Sequence, residues 1–257
     1  MTNLHFRFLS PTVRNVADLR IGSRPAPVKG IELSDAIGAE FRGLKIPIRS
    51  VISQPLVDLM ESSAYERPEI EAALSIVKPG DRVLEIGAGL GLASAAIVQA
   101  SQPEAILSVE ANPNLIERIG ELHRLNGLTN IEVRSGAVRA GPNLPPTTSF
   151  FLHQKFMSSS LLRTRNRKAR GIEVPTIDFD ALVKEFRPDV LIMDIEGGED
   201  EIIRNGDLST LRKLSFELHP QLYGFMTAFG IERRLRRAGF RKVKAHSSRM
   251  MYTGQRT

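Results

Sequence analysis

The 257-residue chain has no cysteine and no tryptophan. Without cysteine there are no disulfides, thiolate zinc sites, iron–sulfur clusters or cysteine nucleophiles. Aromatic residues make up only 6% of the chain, so platforms for stacking nucleic-acid bases are scarce. No apolar run approaches the ~18 residues of a membrane span. The first residues lack a basic flank followed by an apolar segment, so secretion is not expected and a cytoplasmic location is the default. What remains is the profile of an ordinary globule, 42% hydrophobic and 25% charged. The length suits one α/β domain with additions, or two small ones.

The formal charge of +6 is local. Residues 163–170 (RTRNRKAR) and 232–244 (ERRLRRAGFRKVK) together hold twelve basic residues and one acid. The rest of the chain carries more acids than bases, so the basicity is not a general affinity for polyanions.

Residues 1–64 have weak periodicity and scattered Pro and Gly; they read as an N-terminal extension of the same domain, cap-like, with a short helix after residue 50 that turns Leu56, Val57 and Met60 inward. From 65 to 257 strands and helices alternate. Helices are expected at 69–77, 90–100, 113–125, 177–186, 199–205 and 230–238, and strands at 82–86, 105–110, 131–135, 189–194 and 213–218. The 230–238 helix would bury Ile231, Leu235 and Ala238 and leave its arginines in solvent. This rhythm implies right-handed βαβ units and a parallel sheet covered on both faces. Residues from about 140 to 175 interrupt it and read as an inserted hairpin and loop; 241–245 and 250–253 read as a final antiparallel pair on the sheet edge.

The sharpest signal is Val83-Leu84-Glu85-Ile86-Gly87-Ala88-Gly89-Leu90-Gly91, a strand running through three alternating glycines into a helix. Glycines there allow a tight turn and close approach of a ligand. Glu110 ends the next strand, where a carboxylate can accept both hydroxyls of a ribose. A dinucleotide loop would space its third glycine one residue later, and Glu85 would repel a pyrophosphate while suiting a cationic amino-acid moiety. The E-x-G-x-G-x-G pattern resembles the S-adenosylmethionine loop of class I methyltransferases.

A narrower resemblance comes from Asp189–Asn205 (DVLIMDIEGGEDEIIRN), preceded by Val174-Pro175-Thr176-Ile177-Asp178. These segments resemble the strand–DxEGxE–helix region of the FkbM family of methyltransferases. Tyr65-Glu66, Val109-Glu110-Ala111-Asn112-Pro113, Asn126-Gly127, Ser158-Ser159-Ser160 and Phe216-Glu217-Leu218-His219-Pro220 fall in the same order as similar residues there, so the likeness covers about residues 65–240. Met193 departs from it, standing where the family usually has a lysine. The resemblance implies an α/β, Rossmann-like three-layer sandwich whose seven-stranded, mainly parallel sheet ends in an antiparallel strand. It also implies methyl transfer from S-adenosylmethionine, most often to a hydroxyl of a sugar or other small metabolite.

On that frame the expected cofactor-binding residues are Tyr65, Glu66, Glu85, Gly87, Ala88, Gly89, Gly91, Glu110, Ala111, Asn112, Ala137, Val138 and Asp194. Asp194, Glu196 and His219 are the expected catalytic residues, with Ser158, Ser159 and His153 toward the substrate. Glu217 lies on the strand of His219 and is read as facing the other way; His5, His123 and His246 are read as surface residues. A divalent cation on Asp194 and Glu196, with or without Glu199, is weighed and set aside. The expected partner is a small molecule or glycan, with no nucleic acid and no membrane; a homodimer is left open. Two alternatives stand beside this reading. One is an RNA methyltransferase using the two basic stretches, although no Asn-Pro-Pro-aromatic sequence follows the fourth strand. The other is a non-catalytic binding protein that keeps the fold.

Overall fold

The computed structural model of the chain describes residues 37–47, 54–152, 169–248 and 250–256. In chain order its elements are β1 (Ile37–Phe41), β2 (Leu44–Pro47), α1 (Gln54–Glu61), α2 (Arg67–Ile76), β3 (Arg82–Ile86), α3 (Leu92–Ser101), β4 (Ala105–Glu110), α4 (Pro113–Leu125), β5 (Ile131–Ser135), β6 (Ala137–Arg139), β7 (Thr147–Leu152), β8 (Arg170–Asp178), α5 (Phe179–Phe186), β9 (Val190–Met193), α6 (Glu199–Asn205), β10 (Lys213–Glu217), α7 (Pro220–Tyr223), α8 (Phe225–Arg237), β11 (Phe240–Lys242) and β12 (Met251–Arg256). Seven strands form one sheet in the order β11-β12-β10-β9-β3-β4-β5. From β10 through β5 the pairings are parallel; β12 runs antiparallel to both of its neighbours.

The central strands are apolar on both faces because helices cover both. Leu84, Leu107 and Leu191 pack with Phe179 and Leu182 of α5, Ile202 of α6 and Ile231 and Leu235 of α8. Their chain neighbours Val83, Ile106 and Val190 pack the other way, against Ala73 and Ile76 of α2 and Ile97 of α3. This period-two division between two helical layers is what near-continuous hydrophobic strands require. The β1–β2 hairpin and α1 join the second layer: Phe41, Leu44, Leu56 and Met60 share one buried cluster with Ile70, Leu92 and Ile119.

Three local expectations need correction, and a fourth holds. The segment after β5 is not only a hairpin and loop: β6, β8 and β7 form a second, three-stranded sheet. Because β8 continues through Asp178, α5 starts only at Phe179, with Asp178 accepting the Asp180 N–H at 3.0 Å as its cap. Helix α8 starts at Phe225 and passes through Gly230, so Ala228 is buried while Ala238 lies exposed beyond its end. The last two strands form the expected antiparallel pair at the sheet edge; β12 is its inner member, between β10 and β11, because its central residues Tyr252 and Thr253 belong in the core.

Candidate active site

The carboxyl ends of β3, β4, β9 and β10 meet around one cavity of about 1100 Å³, counting its open mouth. That is the scale and place of a ligand site in an open α/β sheet. Its walls include Tyr65, Glu66, Glu85, Gly87, Ala88, Gly89, Glu110, Ala111, Ala137, Val138, Asp194 and Glu196, which the chain carries from five separate segments. Gly91 and Asn112 lie outside the wall. Gly91 caps α3 in a left-handed conformation, and a Cβ there would sit 2.9 Å from the Ile119 side chain. Asn112 caps α4, accepting the Asn114 N–H at 3.1 Å. Ser158, Ser159 and His153 fall outside the described residues.

The glycine loop is built by two backbone constraints. Gly87 has φ +89° and donates its N–H to the Val109 carbonyl at 2.8 Å. Asp194 donates its N–H to the Ile86 carbonyl at 2.9 Å, which brings its own carbonyl against Gly87. Gly89 is also left-handed, but a Cβ there would meet no protein atom within 4 Å. It lines the cavity, so its missing side chain leaves room for a ligand.

Glu110 is buried and held by backbone donors: Gly89 N–H on Oε2 at 2.8 Å and Asn112 N–H on Oε1 at 2.6 Å. Each oxygen keeps a lone pair for a further donor. Burial pushes this carboxyl up to about 7 despite those bonds. Glu85 is likewise pushed up to about 7 by burial, against a bond from the Ser108 hydroxyl. Glu66, in a left-handed backbone conformation, is pushed up to about 7 by burial.

At the ends of β9 and β10 lies the second group. His219 is 2% exposed, and its Nδ1 pairs with Glu199 Oε1 at 2.7 Å. Its Nε2 faces Glu196 Oε2 at 3.4 Å, Glu217 Oε2 at 3.6 Å and Asp194 Oδ1 at 3.8 Å. Burial favours the neutral ring, but the bond and charge of Glu199, with Glu196 and Asp194, outweigh it and raise His219 to about 9. Burial raises the Asp194 carboxyl well above its usual range, reinforced by Glu66 and opposed by His219. Two sequence readings are corrected here. Glu217 shares the face of His219, as residues two apart on a strand must. His123 is buried against the Gly91 turn, and burial lowers it to about 4; His246 is exposed as expected. Glu69 was missed as a wall residue, because its helix period reads as an ordinary surface position.

The family is decided by the sequence over this same region: a Methyltransferase FkbM domain model matches residues 85–242. The chain belongs to the FkbM methyltransferase family. As an FkbM-family protein it has the class I α/β fold described above, and S-adenosylmethionine is its methyl donor. Similar solved structures include precorrin-6y C5,15-methyltransferase from Geobacter metallireducens GS-15, with 13% identity, a TM-score of 0.46, and 86% of this chain and 98% of that chain covered. Ribosomal protein L11 methylase from Lactobacillus delbrueckii subsp. bulgaricus is similar at 14% identity and a TM-score of 0.45, covering 76% and 79%. No curated protein matches the sequence. Among the described residues no helix is long and apolar enough to cross a membrane.

The cavity of this FkbM-family chain fits a sulfonium cofactor. Glu66, Glu69, Glu85, Glu110, Asp194, Glu196 and Glu217 line it, and no lysine or arginine appears among its described walls. Such a field attracts a cation and disfavours pyrophosphate. Met193 is part of this wall and is buried at 1% exposure.

Crowded carboxyls make a stability prediction. Glu66, Glu85 and Glu110 titrate near 4.5 when unfolded and near 7 when folded, so over that interval the folded chain holds more protons. Stability of the ligand-free protein therefore falls as pH rises toward 7 and through it. His219, raised to about 9, adds to the same trend, whereas His123 opposes it only below its ordinary value of 6.5. Calorimetric melting at about pH 6.5 and about pH 8 should give the lower Tm at the higher pH. An unchanged or higher Tm at pH 8 contradicts the raised carboxyls.

Proposed function

We propose that this methyltransferase acts on a hydroxyl oxygen of a small metabolite or glycan. The observation that supports this reading most is the group of Asp194, Glu196 and Glu217, three cavity-wall carboxylates within 3.4–3.8 Å of His219 Nε2. A hydroxyl must give up its proton as its oxygen becomes the nucleophile. Asp194 is the base: its Oδ1 has no hydrogen-bond partner, and its raised affinity for a proton suits the task at neutral pH. His219, held by Glu199 and cationic at neutral pH, keeps Asp194 and Glu196 from repelling each other out of position. Glu196, which faces the same imidazole nitrogen, orients the acceptor.

S-adenosylmethionine supplies the methyl group as a sulfonium, whose positive charge is lost once the methyl has gone. In this reading Glu110 accepts the ribose hydroxyls and Ala111, Ala137 and Val138 border the adenine, while Gly87, Ala88 and Gly89 leave room along the loop. Tyr65, Glu66 and Glu85 surround the amino-acid end. Gly91 and Asn112 act one step removed, by setting the starts of α3 and α4.

An RNA substrate is disfavoured by the acidic cavity and by the pairing within the second basic stretch. There Arg234 meets Asp200 at 2.8 Å and Lys242 meets Glu232 at 2.6 Å; residues 163–168 of the first stretch lie outside the described residues. The test is transfer of isotope-labelled methyl from S-adenosylmethionine into an extract of sugars and hydroxylated metabolites, with the product's attachment atom assigned by NMR. A methoxy product is expected, and Asp194→Asn should lower kcat about 10²–10⁴-fold while calorimetry finds cofactor affinity little changed. Label on nitrogen, or on RNA in preference to the extract, overturns the proposal.

A further inference from the structure

The geometry points to a divalent-cation site in the cavity wall, formed by Asp194 and Glu217, which line it, and the buried His219 behind them. One ligand atom from each of these residues lies within 4.8 Å of the others. His219 Nε2 stands 3.6 Å from Glu217 Oε2 and 3.8 Å from Asp194 Oδ1. An ion with bonds of about 2.1 Å holds neighbouring ligands about 3.0–3.4 Å apart, so these side chains need to close by at most about 1.8 Å.

Three observations distinguish this group from an ordinary acidic patch. His219 is 2% exposed and aims Nε2 at three carboxylates, 3.4 Å from Glu196, 3.6 Å from Glu217 and 3.8 Å from Asp194. Its other nitrogen is committed to Glu199, itself fully buried; a carboxylate behind the far ring nitrogen is how metal-bound histidines are oriented. Asp194 Oδ1 is buried and has no hydrogen-bond partner. The ligands also come from two adjacent strand ends that the sheet holds rigidly: β9 and β10 are paired up to Met193 and Phe216. A site so placed needs little loop ordering.

Taking the place of the Nε2 proton that the unloaded imidazole carries, a cation of the Mn²⁺ class suits this one nitrogen and two carboxylate oxygens, with the positions facing the cavity left open. There the ion would bind the acceptor oxygen and favour its deprotonated form. Asp194 can ligate through one oxygen and still take the proton on the other. Two oxygens on neighbouring carbons would fill the open positions together, so the substrate class is a vicinal diol or hydroxy-carbonyl compound, as sugars are. This role rests on the methyl-transfer reading above; the binding of the ion does not.

The test uses the full chain freed of metal by a chelator and titrated with Mn²⁺, free Mn²⁺ being read by electron paramagnetic resonance. One bound ion per chain is expected in the absence of S-adenosylmethionine. Glu217→Gln and His219→Ala should each weaken binding at least about tenfold. Because His219 is buried and packs in the fold, Glu217→Gln decides alone if His219→Ala melts early. No bound Mn²⁺ at millimolar concentration overturns the inference, and so does binding that Glu217→Gln leaves unchanged. Calorimetry with S-adenosylmethionine on the same samples separates the two readings. Mn²⁺ binding without cofactor binding keeps the metal site and removes the methyltransferase role; the converse result removes only the metal.

Discussion

Replacing Gly87 by alanine is expected to cost roughly 2–6 kcal/mol of stability, the sum of a left-handed backbone penalty and a forced displacement of packed backbone. The added Cβ would stand 1.8 Å from the Asp194 carbonyl oxygen and 2.8 Å from its carbon, so no side-chain rotation can relieve it. At φ +89° alanine is also strained in its own right. The two carboxyl ends of β3 and β9 must separate, which breaks the contact that places Asp194 at the cavity. For a chain of this size the Tm should fall on the order of 10 °C. Gly89→Ala is the matched control. It too is left-handed, at φ +56°, but its methyl would meet no protein atom within 4 Å. That variant should fold with a loss of only about 1–2 kcal/mol, yet bind S-adenosylmethionine poorly, because the methyl takes cavity space. Equal Tm values for wild type and Gly87→Ala would refute the close approach of the two strand ends.

Glu110→Ala should weaken S-adenosylmethionine binding about 100-fold or more, which is about 2.7 kcal/mol. Two losses combine. The carboxylate no longer accepts from the ribose hydroxyls, and bonds to an ionised acceptor are the stronger kind. The buried N–H groups of Gly89 and Asn112 also lose their acceptor, so the loop relaxes from the conformation that lines the cavity. Glu110→Gln separates these contributions: it keeps the shape, but its amide NH₂ must face one of the two backbone donors, so an intermediate affinity is expected. Calorimetric titration of the three proteins with S-adenosylmethionine measures the effect. Unchanged affinity in Glu110→Ala would mean that the ribose is held elsewhere.

Much of the architecture was legible because it rests on local periodicity. Val83, Leu84 and Ile86 in a run of five, Ile70 and Ala73 at helical spacing, and Pro113 opening the 113–125 helix each specify their element without help. The glycine loop was legible for the same reason, since a left-handed backbone leaves its mark on one position at a time. Boundaries failed where a tertiary contact outweighed a local signal. Gly230 reads as a helix break, but burial of Ala228 and Ile231 carries α8 through it. His123 reads as polar surface, yet its helix packs against the Gly91 turn and buries it.

By itself the sequence determined the family, the alternating α/β order and which carboxylates stand at strand ends, since each depends on residues close together along the chain. Only the tertiary structure decided that Glu217, 23 residues beyond Asp194, turns toward the same imidazole, and that Glu199 fixes that imidazole from behind. It alone placed Glu69 of a helix among the cavity's carboxylates and inserted β12 between β10 and β11. The physical reason is range. Periodicity and turn chemistry act over a few residues, whereas charge, burial and strand pairing act through space between groups whose separation along the chain carries no trace of their meeting.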